Sequence, residues 1–142
     1  MQVTLQRVHG ATFVARGESN HWIVIDTKPE FGGQAAAASP MELVLCALGG
    51  CSAIDVETIL QKMHLHADRF QVDISAERRT EHPKTFAAIH LIYSFWGNEL
   101  PLASLQKAVQ LSQEKYCSVS AILKASAELT YEIRLNPTPL SE

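Results

Sequence analysis

The sequence predicts an α+β fold in which largely antiparallel sheets surround one long central helix. Apolar and polar residues alternate near both ends of the chain, which indicates strands, and an uncharged apolar stretch over residues 43–54 indicates a buried helix. The predicted order, β-β-β-α-β-β-α-α-β, lacks the regular βαβ alternation of parallel-sheet proteins. With 142 residues, 46% of them hydrophobic, the chain has the size of one domain with a substantial core.

Residues 1–26 are predicted to form an N-terminal β-meander. Apolar side chains alternate with polar ones over residues 3–8, 11–15 and 21–26, and turn-forming residues separate these runs. The following segment, residues 27–38, contains Pro, two adjacent Gly and four Ala. We expect it to be a flexible loop that leads into the central helix.

The central helix is predicted over residues 39–63. Ser39 is a favourable N-cap, Pro40 suits the first helical position, and Glu42 completes a capping box. Apolar side chains then occupy every face of the helix, so we expect the helix to be surrounded by protein. The apolar run is too short to span a bilayer and acidic residues bracket it, which argues against a transmembrane helix.

Such a helix is difficult to cover with one copy of the predicted strands. Gly49 and Gly50 also lie in its middle, where they cost about 1–2 kcal/mol relative to two alanines. Close approach of another backbone, such as a second copy of this helix, would offset that cost. The sequence therefore predicts an obligate, intertwined homodimer.

Residues 69–135 are predicted to form a ββααβ unit. Its first strand is buried on one face, and its second has apolar groups on both faces, so the second strand is expected at the centre of a sheet. A Cys-Ser pair at positions 117 and 118 is a suitable cap for a short helix. The predicted elements are strands at 70–76 and 85–96, helices at about 102–115 and 118–124, a strand at 129–135, and a tail at 136–142.

Charge and cysteine content restrict the possible partners and location. The net charge is −3 and the basic residues are scattered, which does not indicate a nucleic-acid or anionic-membrane surface. The first residues alternate like a strand and do not resemble a signal peptide. Cys46, Cys51 and Cys117 cannot all pair within one chain, so we expect a reducing, cytoplasmic location.

Two sequence stretches carry a resemblance to a known family. Residues 39–43, Ser-Pro-Met-Glu-Leu, lead to Cys51-Ser52-Ala53, and Glu-Lys-Tyr-Cys-Ser-Val follows at 114–119. With this element order, the chain resembles the OsmC/Ohr family, which contains osmotically inducible protein C and the organic hydroperoxide resistance proteins. Within that family, the residues of these stretches are most similar to the YhfA-like branch. The resemblance extends over nearly the whole chain and implies one OsmC-like domain, residues 1–142.

The resemblance also implies an activity. Better-studied family members are dimeric thiol peroxidases that act on organic hydroperoxides. Cys51 would be the peroxidatic cysteine, whose thiolate attacks the O–O bond and becomes a sulfenic acid, and Cys117 would be the resolving cysteine that forms a disulfide with it. A dithiol reductant would restore the two thiols. The resemblance requires no metal or organic cofactor.

One position departs from the family pattern. In those enzymes a glutamate directly follows the helix-capping proline and orients an arginine that activates the cysteine, whereas this chain has Met41 there and Glu42 one residue later. One residue corresponds to about 100° around a helix, so Glu42 does not inherit that role by position. Arg7 and Arg16 are the two candidates for the arginine.

Other residues near the predicted site allow more than one interpretation. Asp55 lies one helical turn after Cys51, where its charge would raise the thiol pKa unless a cation offsets it. Cys51 and Cys117 could instead be small packing residues, and Cys117 would have a lowered pKa at a helix N-terminus if exposed.

The third cysteine and the histidines are not assigned to the site. Cys46 is expected in the core. His64 and His66 have no evident third ligand, so no metal site is predicted.

Three functional hypotheses remain open from the sequence. The first is a cytoplasmic thiol-dependent peroxidase with an antioxidant role in the oxidative stress response. The second is a dimer that keeps the fold and binds a small apolar ligand but has lost the peroxide chemistry together with the glutamate. The third is a redox sensor or disulfide-exchange partner that uses Cys51 and Cys117 without fast peroxide turnover. Met41 is the feature that separates the first two hypotheses.

Overall fold

A computed structural model describes residues 1–138 of the chain. These residues form two compact units, one of residues 1–46 and one that begins at Ala47. The first unit contains an antiparallel sheet in the order β1-β2-β3, which confirms the predicted meander. Its strands are β1 (Val3–His9), β2 (Thr12–Gly17) and β3 (Trp22–Ile25).

The segment after β3 is ordered around one buried carboxylate. Asp26 is 1% exposed, and its oxygens accept backbone N–H groups of Thr27, Gln34 and Ala36 at 2.7, 3.2 and 3.0 Å. The hydrogen bond from the Ala36 amide is the main reason that the pKa of Asp26 is lowered. The predicted loop is observed, with one short 3-10 helix at Pro29–Phe31, and the sequence pattern does not reveal that Asp26 gathers these amides.

The central helix, α1 (Pro40–Lys62), begins at the predicted capping box. The backbone N–H of Ser39 donates to Glu42 Oε2 at 2.7 Å, and the N–H of Glu42 donates to Ser39 Oγ at 3.4 Å. A single chain covers only part of the helix surface, as expected for a helix that one copy of the strands is too small to enclose. Its fully buried residues form one stripe at four-residue spacing, namely Leu48, Ser52, Val56 and Leu60.

The two mid-helix glycines have different surroundings. A Cβ atom added at Gly49 would lie 3.0 Å from Ile74 Cδ1, whereas one added at Gly50 would have no neighbour within 4 Å among the described residues. The close neighbour of Gly49 is therefore the end of the Ile74 side chain and not a backbone segment of the same chain. Within residues 1–138 of one chain, nothing packs closely enough at Gly50 to require glycine there.

The second unit contains a sheet in the order β4-β5-β6, with β5 at its centre as predicted. Strands β4 and β5 are antiparallel, but β5 and β6 are parallel, which differs from a purely antiparallel arrangement. The connection between β5 and β6 contains two helices, and a crossover of that length returns the chain in the same direction. The strands are β4 (Arg69–Arg78), β5 (Phe86–Trp96) and β6 (Glu128–Leu135).

The crossover departs from regular α-helix at one point. Helix α2 (Leu102–Leu111) continues directly into a π-helical turn, Ser112–Tyr116, where one uninterrupted helix was predicted. Helix α3 (Ser118–Lys124) follows, with Cys117 as its N-cap, as predicted. Single π turns inside helices are uncommon and frequently occur at functional sites.

Two further predictions concern a membrane span in α1 and the C-terminal tail. The expectation that the apolar run is too short to span a bilayer is wrong by length and composition, because α1 has 23 residues and a mean hydropathy of 1.8 over its most apolar window, although core helices of soluble proteins meet the same test. The predicted tail, residues 136–142, follows β6, and residues 139–142 lie outside the described part of the chain.

Candidate active site

The two cysteines singled out by the sequence lie close together in the second unit. Cys51 is half-buried in the middle of α1, and Cys117 is 3% exposed at the start of α3. Their Sγ atoms lie within 4.8 Å of each other, and a carboxylate oxygen of Asp55 lies within the same distance of both. The fold thus brings Cys117, which is distant in sequence, to a thiol and a carboxylate that lie four residues apart on α1.

Asp55 occupies the turn of α1 that follows Cys51, so both side chains point to one face of the helix. Ser112 in the π turn donates its hydroxyl proton to Asp55 Oδ2 at 3.2 Å. The predicted proximity of Asp55 to Cys51 is therefore observed, and the structure adds Cys117 to the pair. Ser112 orients the carboxylate that faces them.

A buried polar network lies beside the thiols. Ser52 Oγ is 2.6 Å from Tyr93 Oη and 3.0 Å from Ser112 Oγ. The Gln113 amide donates to Ser52 Oγ and Tyr93 Oη at 3.0 and 2.7 Å, and its oxygen accepts the Ser120 hydroxyl at 3.0 Å. These hydrogen bonds connect α1, β5, the π turn and α3 around Cys51 and Cys117.

The π turn makes this network possible. Ser112 and Gln113 are adjacent in sequence, and both are buried and bonded to Ser52. In the wider π turn successive side chains are less widely separated around the axis than in an α-helix. The Lys124 ammonium donates to the Gln113 carbonyl at 2.6 Å, which satisfies one backbone oxygen of the turn.

Sequence reasoning missed this network. Tyr93 lies in the strand predicted at 85–96, and Ser112 and Gln113 lie in the helix predicted at about 102–115, so neither pattern distinguishes these three residues from their neighbours. The signal that was available is Ser52, a polar residue inside an apolar helix and next to the candidate cysteine. A buried serine needs a hydrogen-bond partner, and that partner had to come from another element.

Burial shifts the pKa values of two groups at the site. It raises the pKa of Tyr93 to about 12, although hydrogen bonds from Ser52 and Gln113 act in the opposite direction. Burial also raises the pKa of the Cys117 thiol, and the hydrogen bonds from Ser120 only partly offset this effect. The lowering that a helix N-terminus would give an exposed thiol is not obtained, because Cys117 is buried.

A cavity of about 260 Å³ opens beside Asp55. Ile59, Leu111 and Tyr116 contribute apolar surface to it, and Lys62 contributes a cationic group. The complete lining is Asp55, Thr58, Ile59, Lys62, Leu111 and Tyr116. A small, mostly apolar molecule with a polar end fits such a cavity.

The remaining candidate residues are occupied or exposed. Glu42 is held in the capping box, and its hydrogen bonds with Ser39 lower its pKa.

The two candidate arginines lie in the first unit. The Arg16 guanidinium binds Asn20 Oδ1 at 2.9 Å and lies 4.9 Å from the Trp22 ring centre, while Arg7 is exposed. Neither observation assigns either arginine to Cys51.

Cys46 was expected in the core, and this expectation is wrong for the single chain. Its side chain is exposed, because the chain buries only one stripe of α1 and Cys46 lies outside that stripe. His64 and His66 are also exposed and do not join a ligand cluster in the described residues.

Comparisons with known proteins agree with this architecture. A family model described as "OsmC-like protein" matches residues 32–132. Protein YhfA of Escherichia coli (strain K12) is 41% identical over 131 residues, which are 92% of this chain and 95% of that protein. A hypothetical protein from Aquifex aeolicus VF5 has a solved structure that is 31% identical, covers 96% of this chain and 97% of its own, and has a TM-score of 0.80.

A more distant solved structure carries a functional name. It is an organic hydroperoxide resistance protein OsmC from Legionella pneumophila, with 12% identity, coverage of 94% of this chain and 97% of its own, and a TM-score of 0.70. At that identity the similarity concerns the fold alone.

Proposed function

Because this chain belongs to the OsmC-like family, we propose that it is a thiol-dependent peroxidase that reduces organic hydroperoxides through Cys51. The resemblance first noted in the sequence is confirmed at the level of family and fold. One observation carries the proposal: the sulfur atoms of Cys51 and Cys117, from α1 and the start of α3, lie within 4.8 Å of each other. The Legionella protein, which shares this fold, is named for resistance to organic hydroperoxides, and the proposal adopts that class of substrate.

In the proposed reaction the Cys51 thiolate attacks the terminal oxygen of the hydroperoxide. The O–O bond breaks, the alcohol leaves with one proton, and Cys51 becomes a sulfenic acid. The Cys117 thiolate then attacks that sulfur, the S–O bond breaks and water leaves, so that two thiols supply the two electrons that reduce the peroxide. A dithiol reductant restores both thiols by exchange with the disulfide.

The cavity beside Asp55 supports an organic substrate. Ile59, Leu111 and Tyr116 would contact an alkyl or aryl group, while hydrogen peroxide would gain nothing from these apolar contacts. We therefore expect organic hydroperoxides to react faster than hydrogen peroxide.

Activation of Cys51 would differ from the pattern that the resemblance implies. Met41 replaces the glutamate that orients an arginine, and Glu42 is committed to the helix cap. The polar groups near Cys51 in its own unit are Asp55, oriented by Ser112, and the Ser52 network. We propose that these groups, and not a glutamate–arginine pair, set the reactivity of this site.

We further propose that the protein works as a cytoplasmic homodimer. Large apolar side chains remain exposed in each unit, including Ile23 in β3, which is 51% exposed, and Ile54 in α1, which is 69% exposed. Ile54 lies one helical turn from Gly50, which has free space around it. A second copy that packs along this side of α1 would cover both positions.

Substitution of each cysteine tests the proposed reaction. Cys51→Ser should abolish reduction of cumene hydroperoxide, because the attacking thiolate is lost. Cys117→Ser should allow one turnover and then stop, since the sulfenic acid cannot be resolved. Turnover is followed by peroxide consumption with a dithiol reductant, and the products by intact-mass analysis.

Cys46→Ser is the matched control, because this third cysteine is exposed and lies outside the thiol pair. It should retain wild-type turnover. Equal activity in wild type, Cys51→Ser and Cys117→Ser would contradict the proposal, as would three unchanged thiols in the wild type after one equivalent of cumene hydroperoxide.

A binding protein without peroxide chemistry is the second candidate, and the occupied capping box of Glu42 favours it. In that case an apolar alcohol such as 2-phenyl-2-propanol should raise the melting temperature of Cys51→Ser as much as that of the wild type. Stabilisation that requires the Cys51 thiol would count against the binding hypothesis.

A further inference from the structure

The three groups at the thiol pair form a donor set suited to a metal ion. Cys51 Sγ, Cys117 Sγ and a carboxylate oxygen of Asp55 all lie within 4.8 Å of one another. Around a tetrahedral Zn²⁺, with Zn–S near 2.3 Å and Zn–O near 2.1 Å, such ligand atoms are separated by about 3.5–3.8 Å. Movements of about 1 Å or less, within the range of side-chain rotation, would bring the three atoms to that spacing.

Two elements hold the three ligands and bring them together. Cys51 and Asp55 share one face of α1, and Cys117 is fixed at the N-cap of α3. Each of two ligands also has its own supporting hydrogen bond. The Ser112 hydroxyl donates to Asp55 Oδ2 at 3.2 Å, and the backbone N–H of Ser120 donates to Cys117 Sγ at 3.4 Å.

Such outer hydrogen bonds are a regular feature of protein metal sites, because they fix the orientation of the ligand and stabilise its charged form. Two thiolates select zinc-like cations over Mg²⁺ and Ca²⁺, which prefer oxygen ligands only. With three protein ligands, a tetrahedral ion would keep a fourth position for water or a small ligand.

We propose that the reduced protein binds one zinc-class divalent cation through Cys51, Asp55 and Cys117. Binding replaces the two thiol protons, which are released to solvent, and leaves the carboxylate as the third ligand. The proposal does not depend on peroxide turnover. If the proposed function also holds, a disulfide removes two of the three ligands, so bound metal and the oxidised state exclude each other.

Cobalt titration of the reduced, full-length protein under anaerobic conditions tests the proposal. Co²⁺ bound by two thiolates gives sulfur-to-metal charge-transfer absorption in the near ultraviolet and visible bands typical of tetrahedral coordination. We expect both signals to saturate at one equivalent per chain and to disappear when Zn²⁺ is added. Zn²⁺ should also raise the melting temperature by mass action.

Four variants assign the ligands. Cys51→Ser and Cys117→Ser should each lose most of the charge-transfer absorption, and Asp55→Asn should weaken Zn²⁺ binding by at least about tenfold. Cys46→Ser is the control and should bind like the wild type. Circular dichroism of each variant separates loss of a ligand from loss of the fold.

The proposal is overturned if the reduced wild type gives no thiolate-to-cobalt absorption. It is also overturned if that absorption survives in Cys51→Ser or disappears in Cys46→Ser. Because no hydroperoxide is used, an inactive peroxidase that binds cobalt would contradict only the proposed function, and an active enzyme that binds none would contradict only the metal site.

Discussion

Burial raises the pKa of the Cys117 thiol although this residue caps the N-terminus of α3. A raised pKa lowers the fraction of thiolate at neutral pH, and the thiolate is the form that attacks a sulfenic acid. Disulfide formation should therefore accelerate as the pH rises from 7 to 9. The rate can be followed by rapid acid quenching after one equivalent of cumene hydroperoxide, with thiol counting by mass spectrometry.

Ser120→Ala is expected to shift the dependence of the disulfide-formation rate on pH. The hydrogen bonds from Ser120 act to lower the pKa of Cys117, so removal of its hydroxyl should move the rise in rate to higher pH. A disulfide rate independent of pH, or identical profiles in both proteins, would contradict this explanation.

The sequence could place Cys51 and Cys117 only through resemblance to a family. Nothing in their spacing predicts that the two thiols meet, since that contact depends on how α3 lies against α1. Asp55 was accessible to sequence reasoning, because one helical turn separates it from Cys51. Its partner Ser112 was not accessible.

Among the elements, the π turn has the largest effect on the site. It directs Ser112 and Gln113 into the buried network, and an amphipathic pattern gives no sign of it, because the pattern assumes 3.6 residues per turn. The parallel pairing of β5 and β6 was missed for a related reason. Strand periodicity shows which face is buried but not the direction in which the next strand returns.

Tyr93→Phe tests how much the network contributes. It removes the hydroxyl that binds Ser52 and Gln113 and leaves their polar atoms short of a partner, at a cost of about 1–3 kcal/mol in the free energy of unfolding. Urea denaturation at pH 7 measures this cost. Phe86→Leu, a buried change without polar partners in β5, serves as the control for altered packing.

Tyr93→Phe should also change how the free energy of unfolding depends on pH above 10. The pKa of Tyr93 rises to about 12 on folding from an ordinary value of 10.0, so the folded state retains a proton that the unfolded state loses. The resulting stability is complete below pH 10 and is lost as the pH rises towards 12. Wild type should lose more stability over this interval than Tyr93→Phe, and parallel losses would contradict the assignment.

At the scale of the whole molecule, the apolar surface of α1 must be covered by other parts of the protein or by a second copy. Apolar residues on every face predicted a surrounded helix, and the single chain buries one stripe of it. The sequence indicates how much surface needs covering but not which copy of the chain supplies the cover, because hydrophobic burial is not directional. The capping box, by contrast, is a local interaction and was predicted correctly.

Ile54→Glu tests the proposed homodimer. Ile54 is 69% exposed in one chain, so a charge there should leave the folded monomer intact, whereas burial of that charge between two copies is strongly unfavourable. We expect the dissociation constant of the dimer to rise by at least about tenfold, measured by analytical ultracentrifugation. Gln106→Glu, an exposed position on α2, should leave it unchanged. A wild-type monomer at micromolar concentration would contradict the homodimer.

The long separation of Cys51 and Cys117 links oxidation to folding. A disulfide between them would close a loop of roughly 65 residues, which removes chain entropy from the unfolded state and stabilises the fold by about 4 kcal/mol. By linkage, folding lowers the reduction potential of the pair by about 90 mV. The oxidised protein should thus melt well above the reduced one, and a lower or equal melting temperature would show that the bond strains the native structure. A reductant of this protein must therefore supply this additional free energy, about 4 kcal/mol, beyond what the same disulfide would require in the unfolded chain.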